Sequence, residues 1–365
     1  MIDGSLLKNE ERAIYSLRSL YKKYGYTPFK MSKFEEYDLY VGNKDFLVSD
    51  RVITFNDTDG RLLALKPDVT LSIIKHTTDE PGVKHKVYYN ENVYRISGTT
   101  GQFKEIMQMG LESIGDIDVT DIFEVVYLAA KSLSEVSSDF VLDISHVGIL
   151  SAFLSEASDN ELFKKEVTEL ISNKNAHEIS FVCKKYGVTE AATEKLISLV
   201  SIYGDTKSVI ERLAPLCTSV SAAKALSELK VLSFLLSRTE LSERIRFDFS
   251  VVHNMSYYDG IVFSGFLSGI CEAALSGGEY GKLLRGMGRG SRAVGFALYL
   301  DLLGELYTQE SGYDADILLL YDDSISAVKI IEKRTELIAA GNSVSAQRSV
   351  PEKLRFREIL DMRKG

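Results

Sequence analysis

The chain has 365 residues, enough for a large core and two or three domains, and its 45% hydrophobic and 26% charged residues are those of an ordinary globular protein. A net charge of −9 argues against a broad surface for nucleic acid or an anionic membrane, since both are held through clustered Lys and Arg. Cys183, Cys217, Cys271 and the scattered histidines give no disulfide framework or metal-ligand spacing, and no apolar run reaches the ~20 residues that span a bilayer. The expectation is a soluble cytoplasmic protein without metal or cofactor.

Residues 5–24 place Leu6, Ile14, Leu17, Leu20 and Tyr21 on one helical stripe, with Gly25 as the stop. Strands are predicted around 26–30, 51–56 and 61–66, the last two joined as a hairpin by Asn56–Gly60 (NDTDG). A short helix is predicted over 68–77. Asp68 and Thr70 at its start either cap it or offer a carboxylate and a hydroxyl to an ammonium group.

Residues 87–115 form two extended segments joined by a Gly/Thr loop. Period two puts Ile106, Gln108, Gly110 and Glu112 on one face of the second segment. A glycine between two hydrogen-bonding side chains leaves room for something to lie against the sheet, and Arg95 brings a positive charge to the same floor. The pattern fits either a small polar or zwitterionic ligand on the sheet or a solvated hairpin face.

A helix is predicted over 118–136, a strand over 139–145, and nearly continuous short helices from 147 to 237. Strand signals return at 244–252 and 260–266, with Tyr257 and Tyr258 leading into the second; such a pair serves either a core or a cavity. The stretch 277–292, rich in Gly, Arg and Lys, matches no phosphate-binding loop and reads as a mobile surface or interface loop. Residues 293–306, apolar nearly all round, read as a buried helix. One strand, one helix and a charged tail are expected after Tyr313. Hairpins rather than βαβ repeats connect the strands, so the fold class is α+β with an antiparallel sheet flanked by helices.

Four of these segments, in order, resemble the class II aminoacyl-tRNA synthetases of the histidyl branch. Arg95, Gln108, Glu112 and Gly115 match that family's motif 2. Lys66, Asp68 and Thr70 match its Leu-Arg-Pro-Glu-x-Thr segment, with Lys for Arg and Asp for Glu. Tyr257, Tyr258, Gly260 and Phe263 match Arg-Gly-Leu-Asp-Tyr-Tyr-x-Gly-x-x-Phe, with His253 at the arginine and Ser256 at the aspartate. Residues 277–284, with Tyr280, and 293–303 are similar to the Gly-Gly-x-Tyr-Asp-Gly segment and motif 3; the latter should end Gly-x-Glu-Arg but has Tyr299, Leu300, Asp301 and Leu302. The resemblance implies a class II synthetase-like core over 1–146 and 241–312, a helical insertion over 147–240, and a truncated C-terminal α/β segment over 313–365.

The departures bear on activity. Amino-acid activation builds negative charge at the α-phosphate of ATP, and the family meets it with arginines, whose planar charged fork suits phosphate. Here two of those positions hold His253 and Leu302, and Ser97 replaces the usual Glu after the motif 2 arginine. The C-terminal segment is also too short for an anticodon-binding domain. A core that keeps its amino-acid floor and loses phosphate chemistry resembles the regulatory subunits of ATP phosphoribosyltransferase.

That resemblance implies a non-catalytic chain that activates the short-form catalytic subunit in the first step of histidine biosynthesis and mediates feedback by L-histidine. It implies a hetero-octamer, self-association as a dimer, and no nucleic acid or membrane partner. The ligand residues it implies are Asp68 and Thr70 toward the α-ammonium, Gln108 spanning ammonium and carboxylate, and Glu112 and Tyr258 at the imidazole. Tyr257, Arg95 and Tyr280 complete the set. Two other readings remain at this stage: an atypical histidyl-adenylate-forming enzyme and a free-standing histidine sensor.

Overall fold

The computed structural model describes residues 9–47, 51–97, 100–252, 257–306 and 313–364. The chain divides into two compact units, Met1–Leu306 and Tyr307–Gly365. The first opens with α1 (Asn9–Lys23), ended by Gly25 at φ +82°, a conformation that glycine adopts without a Cβ clash. The part of this helix expected over 5–8 lies outside the described residues. Then come β1 (Thr27–Pro28), β2 (Phe34–Glu36), the one-turn α2 (Asp38–Val41), and the hairpin of β3 (Thr54–Asn56) and β4 (Leu62–Leu65). That hairpin pairs in register across the NDTDG turn, and β2 completes a small three-stranded sheet. After α3 (Thr70–Lys75), β5 (Lys84–Ile96) and β6 (Phe103–Gly115) run antiparallel along their whole length.

Helix α4 (Val119–Val136) starts at a capping box in which Asp118 accepts from the Thr120 and Asp121 amides and Asp121 accepts from the Asp118 amide. Strand β7 (Phe140–His146) leads into the helical stretch α5 (Val147–Ala157), α6 (Glu161–Ser172), α7 (Ala176–Lys185) and α8 (Glu190–Ser201). It continues with the three-residue β8 (Tyr203–Asp205), α9 (Thr206–Leu213) and α10 (Val220–Leu236). These helices are joined to the sheet by one continuous core, which holds Phe163, Val167, Leu196 and Leu229 together with Phe247 and Leu142. The unit closes with β9 (Ile245–Asp248), β10 (Ile261–Leu267), β11 (Leu275–Glu279), α11 (Gly281–Gly286), β12 (Arg292–Tyr299) and α12 (Leu303–Leu306).

Nine strands form the central sheet in the order β1-β5-β6-β12-β11-β10-β7-β9-β8. Every pairing is antiparallel except β1 with β5 and β7 with β9. One face packs on α1 and α4 through Met109, Leu111, Val294 and Leu298. On the other face a smaller core gathers Val87, Val93, Ile114 and Ala293 under α3 and α11. The candidate site lies on this second face.

Two expectations are corrected here. Residues 293–306 are not a buried helix: β12 takes up 292–299, and only its end turns into a 3₁₀ turn and α12. A strand covered on both faces has no alternation, so its apolar run looks like that of a buried helix. The stretch 277–292 is not a mobile loop, because it completes β11 and forms α11. Its three arginines are held by carboxylates: Arg285 by Asp259 at 2.5 Å, Arg289 by Asp79 at 2.5 Å and Arg292 by Glu279 at 2.6 Å.

The C-terminal unit holds more than one strand and one helix. β13 (Ala315–Leu320), α13 (Ala327–Ala339), β14 (Val344–Gln347) and β15 (Phe356–Asp361) build a three-stranded parallel sheet in the order β14-β13-β15. Of the three strands β13 carries the buried apolar run, Ile317 to Leu320; the two edge strands are half-polar and so read as tail.

Candidate functional site

Pairing register fixes which side chains share the second face. On β6 these are Lys104, Ile106, Gln108, Gly110 and Glu112, opposite Arg95, Val93, Glu91, Tyr89 and Val87 on β5. From the other side Tyr299, Ala297 and Gly295 of β12 stand opposite Gln108, Gly110 and Glu112, and Gly278 of β11 stands opposite Gly295. A cavity of about 760 Å³ lies over this floor. All eight residues expected at the site, Asp68, Thr70, Arg95, Gln108, Glu112, Tyr257, Tyr258 and Tyr280, are on its walls.

Three glycines let the site's side chains lie flat across the sheet. A Cβ on Gly295 would sit 1.7 Å from Glu112 Oε2, and one on Gly278 would sit 2.8 Å from the Tyr258 ring. At Gly110 a Cβ would meet Tyr89 Oη at 2.5 Å. The room over Gly110 is therefore taken by the protein's own Tyr89, not left to a ligand as the sequence pattern implied. Tyr89, Gly278 and Gly295 were not singled out from the sequence. Glycines inside an otherwise apolar strand were the available signal, since they mark close approach of another group.

Glu112 is at the centre. It is 2% exposed, accepts a hydrogen bond from Thr70 Oγ1 at 3.0 Å, and receives a second, short one from the Tyr280 hydroxyl. Burial pushes its carboxyl up to about 8; the bonds from Tyr280 and Thr70 pull down against this, and the nearby Asp68 adds to the rise. Asp68 is also raised by burial, against the pull of Arg95, whose Nη2 stands 3.5 Å from Asp68 Oδ2. Asp68 Oδ1 accepts the Leu71 amide at 2.9 Å, so this carboxylate both caps α3 and faces the cavity. Tyr257 packs edge-on against Tyr258, with ring centroids at 4.7 Å, and tilts against Tyr280 at 5.7 Å. Burial raises all three phenols, so they remain neutral donors at physiological pH.

Gln108 is 2% exposed, and its Nε2 has no acceptor among the described residues. A buried amide donor left unpaired costs of order 1–3 kcal/mol, so its position on a cavity wall marks a place for a ligand acceptor.

The positive charge of the cavity is already engaged. Arg95 is held by Asp68 and by the Pro67 carbonyl at 2.7 Å, and Lys104 pairs with Asp301 at 3.1 Å. Leu302 lies on the wall and donates nothing. Lys66, at the family's arginine position, is fully buried and paired with Glu91 at 2.5 Å; neither residue lines the cavity. His253 and Ser256 lie outside the described residues. Ser97 lines the cavity at the far end of β5. The arrangement suits a zwitterion or cation better than a polyphosphate. Among the described residues no group of three His, Cys, Asp or Glu is placed to hold a metal, and no helix is long and apolar enough to cross a membrane.

A family model described as histidyl-tRNA synthetase matches residues 5–303. The ATP phosphoribosyltransferase regulatory subunit of Oceanobacillus iheyensis is 29% identical over 314 residues, which cover 84% of this chain and 77% of that protein. A crystal structure described as an ATP phosphoribosyltransferase regulatory subunit/histidyl-tRNA synthetase from Bacillus halodurans is similar at a TM-score of 0.76 and 25% identity. The similarity covers 99% of this chain and 96% of that one. A chain of the ATP phosphoribosyl transferase (HisG:HisZ) complex from Thermotoga maritima shares the fold at a TM-score of 0.63 and 21% identity, over 80% of this chain and 97% of that one.

Proposed function

The chain belongs to the histidyl-tRNA synthetase family, and from that premise we propose that it is a regulatory subunit of ATP phosphoribosyltransferase without catalytic activity of its own. It would work in the cytoplasm, in a hetero-octamer with the short-form catalytic subunit, contributing as a dimer and sensing L-histidine. The name carried by its relatives supports the regulatory role. The single observation that carries the loss of catalysis is the engagement of the cavity's cations. With Arg95 on Asp68, Lys104 on Asp301 and Leu302 on the wall, no unpaired guanidinium among the described residues meets the charge that would grow on an α-phosphate.

The same groups suit histidine. Asp68 and Thr70 would take its ammonium, and the Gln108 amide its carboxylate. Glu112 would hold the imidazole, with Tyr258 beside it and Tyr257, Tyr280 and Arg95 closing the walls. Before a ligand enters, Glu112 carries a proton at neutral pH. An imidazole with an ordinary value near 6.5 would then share that proton, so the buried pair forms without a net buried charge.

The test is the ATP phosphoribosyltransferase activity of the short catalytic subunit from the same source, with and without this chain, followed by histidine. A large increase on mixing, reversed by histidine, is expected. No increase together with no co-elution discards the reading. Histidine-dependent ATP–pyrophosphate exchange by the chain alone would point to an adenylate-forming enzyme instead.

A further inference from the structure

The cavity is longer than the amino acid proposed for it. Glu112, Gln108 and Lys104 share one face of β6 at four-residue spacing, and all three line the cavity. At about 3.4 Å per residue each step is about 14 Å, so the trough runs some 27 Å along the strand. In histidine, three carbon–carbon bonds separate the ring from the carboxyl carbon. Its length is used up between Glu112 and Gln108. The half from Gln108 to Lys104 is left over.

That distal half is built of polar groups. Asp301 gives one carboxylate oxygen to Lys104 at 3.1 Å, while its Oδ1 is buried and has no partner among the described residues. Glu272 adds a second carboxylate to the wall, and Tyr299 is joined to Ser276 by a 2.6 Å hydrogen bond. With Lys104 balanced by Asp301, and Arg95, which stands opposite Lys104, balanced by Asp68, the Glu272 carboxylate leaves the described residues here with a net negative charge. At the junction of the two halves is the Gln108 amide, a donor awaiting a carbonyl or carboxylate.

We infer that the distal half is a subsite for a cationic, hydrogen-bond-donating group carried on the carboxyl side of a bound histidine, so that the cavity takes histidyl amides with a basic extension. This rests on the reading of the proximal half as a histidine site. Gln108 would receive the amide carbonyl, and Asp301 Oδ1 and Glu272 would receive the cation. A lysyl residue joined to histidine spans the distance: one peptide step of about 3.8 Å plus its own side chain. A polyphosphate would face Glu272 and Asp301 and be repelled.

The experiment is titration calorimetry of the full chain with histidine, His-Lys, His-Glu and the peptide His-Lys-Ala-Ala. His-Lys is expected to bind at least tenfold tighter than His-Glu, and the ratio to shrink at least threefold in Asp301→Asn and in the surface variant Glu272→Gln. Equal affinity for the two dipeptides, or a ratio unchanged in both variants, would overturn the inference. Binding of histidine but of neither dipeptide would close the trough beyond Gln108 and overturn it while leaving the histidine reading intact. Binding of none of the four ligands would remove both. The expected dipeptide ratio without binding of free histidine would support the subsite and remove free histidine as effector. A tetrapeptide as tight as His-Lys would make the natural ligand a peptide terminus, and a weaker one a small amide; either supports the subsite.

Discussion

Glu112→Gln replaces a buried carboxyl by an uncharged group of nearly the same shape, and its effect on stability has a defined pH dependence. Burial lifts the Glu112 carboxyl from 4.5 to about 8 in the folded chain, with Asp68 adding to the rise and the Tyr280 and Thr70 bonds opposing it. A carboxyl raised on folding binds its proton more tightly in the native state. The stability tied to that proton is full below the unfolded value and is lost as pH rises toward 8. At ~1.4 kcal/mol per pH unit, the interval from 4.5 to 8 amounts to roughly 5 kcal/mol. The glutamine does not titrate. The variant should therefore gain on the wild type by ~1.4 kcal/mol per pH unit from about pH 4.5 to 8, with a flat difference on either side.

The fit of the amide permits the comparison. Its oxygen can accept from Tyr280, and its NH₂ can donate to Thr70, since a hydroxyl serves as either partner. Urea unfolding of both proteins at equal concentration, followed by circular dichroism from pH 5 to 9, measures the difference directly. Parallel stability profiles for the two proteins would show that Glu112 titrates as an ordinary carboxyl. The shared-proton account of the site would then fall with it.

Three further outcomes are expected. Glu112→Ala should weaken histidine binding at least 100-fold in calorimetry while leaving the circular dichroism spectrum unchanged; unaltered affinity would reject the pocket assignment. Histidine binding to the wild type should exchange almost no protons at pH 7 but take up about one or more at pH 9, because there Glu112 and the free imidazole start deprotonated and the free α-amino group starts partly so. Titrations in buffers of different ionisation heat measure this, and zero uptake at pH 9 would refute it. Gly295→Ala should cost about 3 kcal/mol and the histidine site with it. The new Cβ falls 1.7 Å from Glu112 Oε2 and 2.5 Å from the Leu111 carbonyl. A variant that melts and binds like wild type would contradict that packing.

The part of the site that follows a strict period was legible in the sequence. Alternation along β6 placed Gln108 and Glu112 on one face, and the structure puts them on one cavity floor with Arg95. Asp68 and Thr70 were found by type, a carboxylate and hydroxyl at a helix start, and their helix lies over that floor. What stayed hidden depends on partners distant in sequence. That Gly295 makes room for Glu112, or that Tyr89 covers Gly110, follows from a register between strands that one sequence does not specify. The apolar run 293–299 carried no period because both its faces are covered. The stretch 277–292 read as a surface or interface loop because Asp79 and Asp259, which hold Arg289 and Arg285, lie on other segments.

The floor and the roof of the cavity differ in how much they can move. Its floor consists of β5, β6, β12 and β11, central strands whose opposite face is locked into the main core by α1 and α4. Shifting them would disturb close packing along the whole sheet. The roof consists of short pieces, α3 with six residues, α11 with six, and the segment at Tyr257 and Tyr258, resting on a smaller core of their own. Regulation requires that histidine bind one assembly state more tightly than another, since equal affinity shifts nothing. Floor contacts to Gln108 are the same in any state that keeps the sheet. Under the proposed histidine reading, the difference in affinity would therefore arise at roof groups: at Asp68 beside α3, and at Thr70 and Tyr280, which reach Glu112 on the floor. Thr70 opens α3 and Tyr280 is the N-cap residue of α11, so under the proposed reading a partner that displaced either helix would change histidine affinity through Glu112.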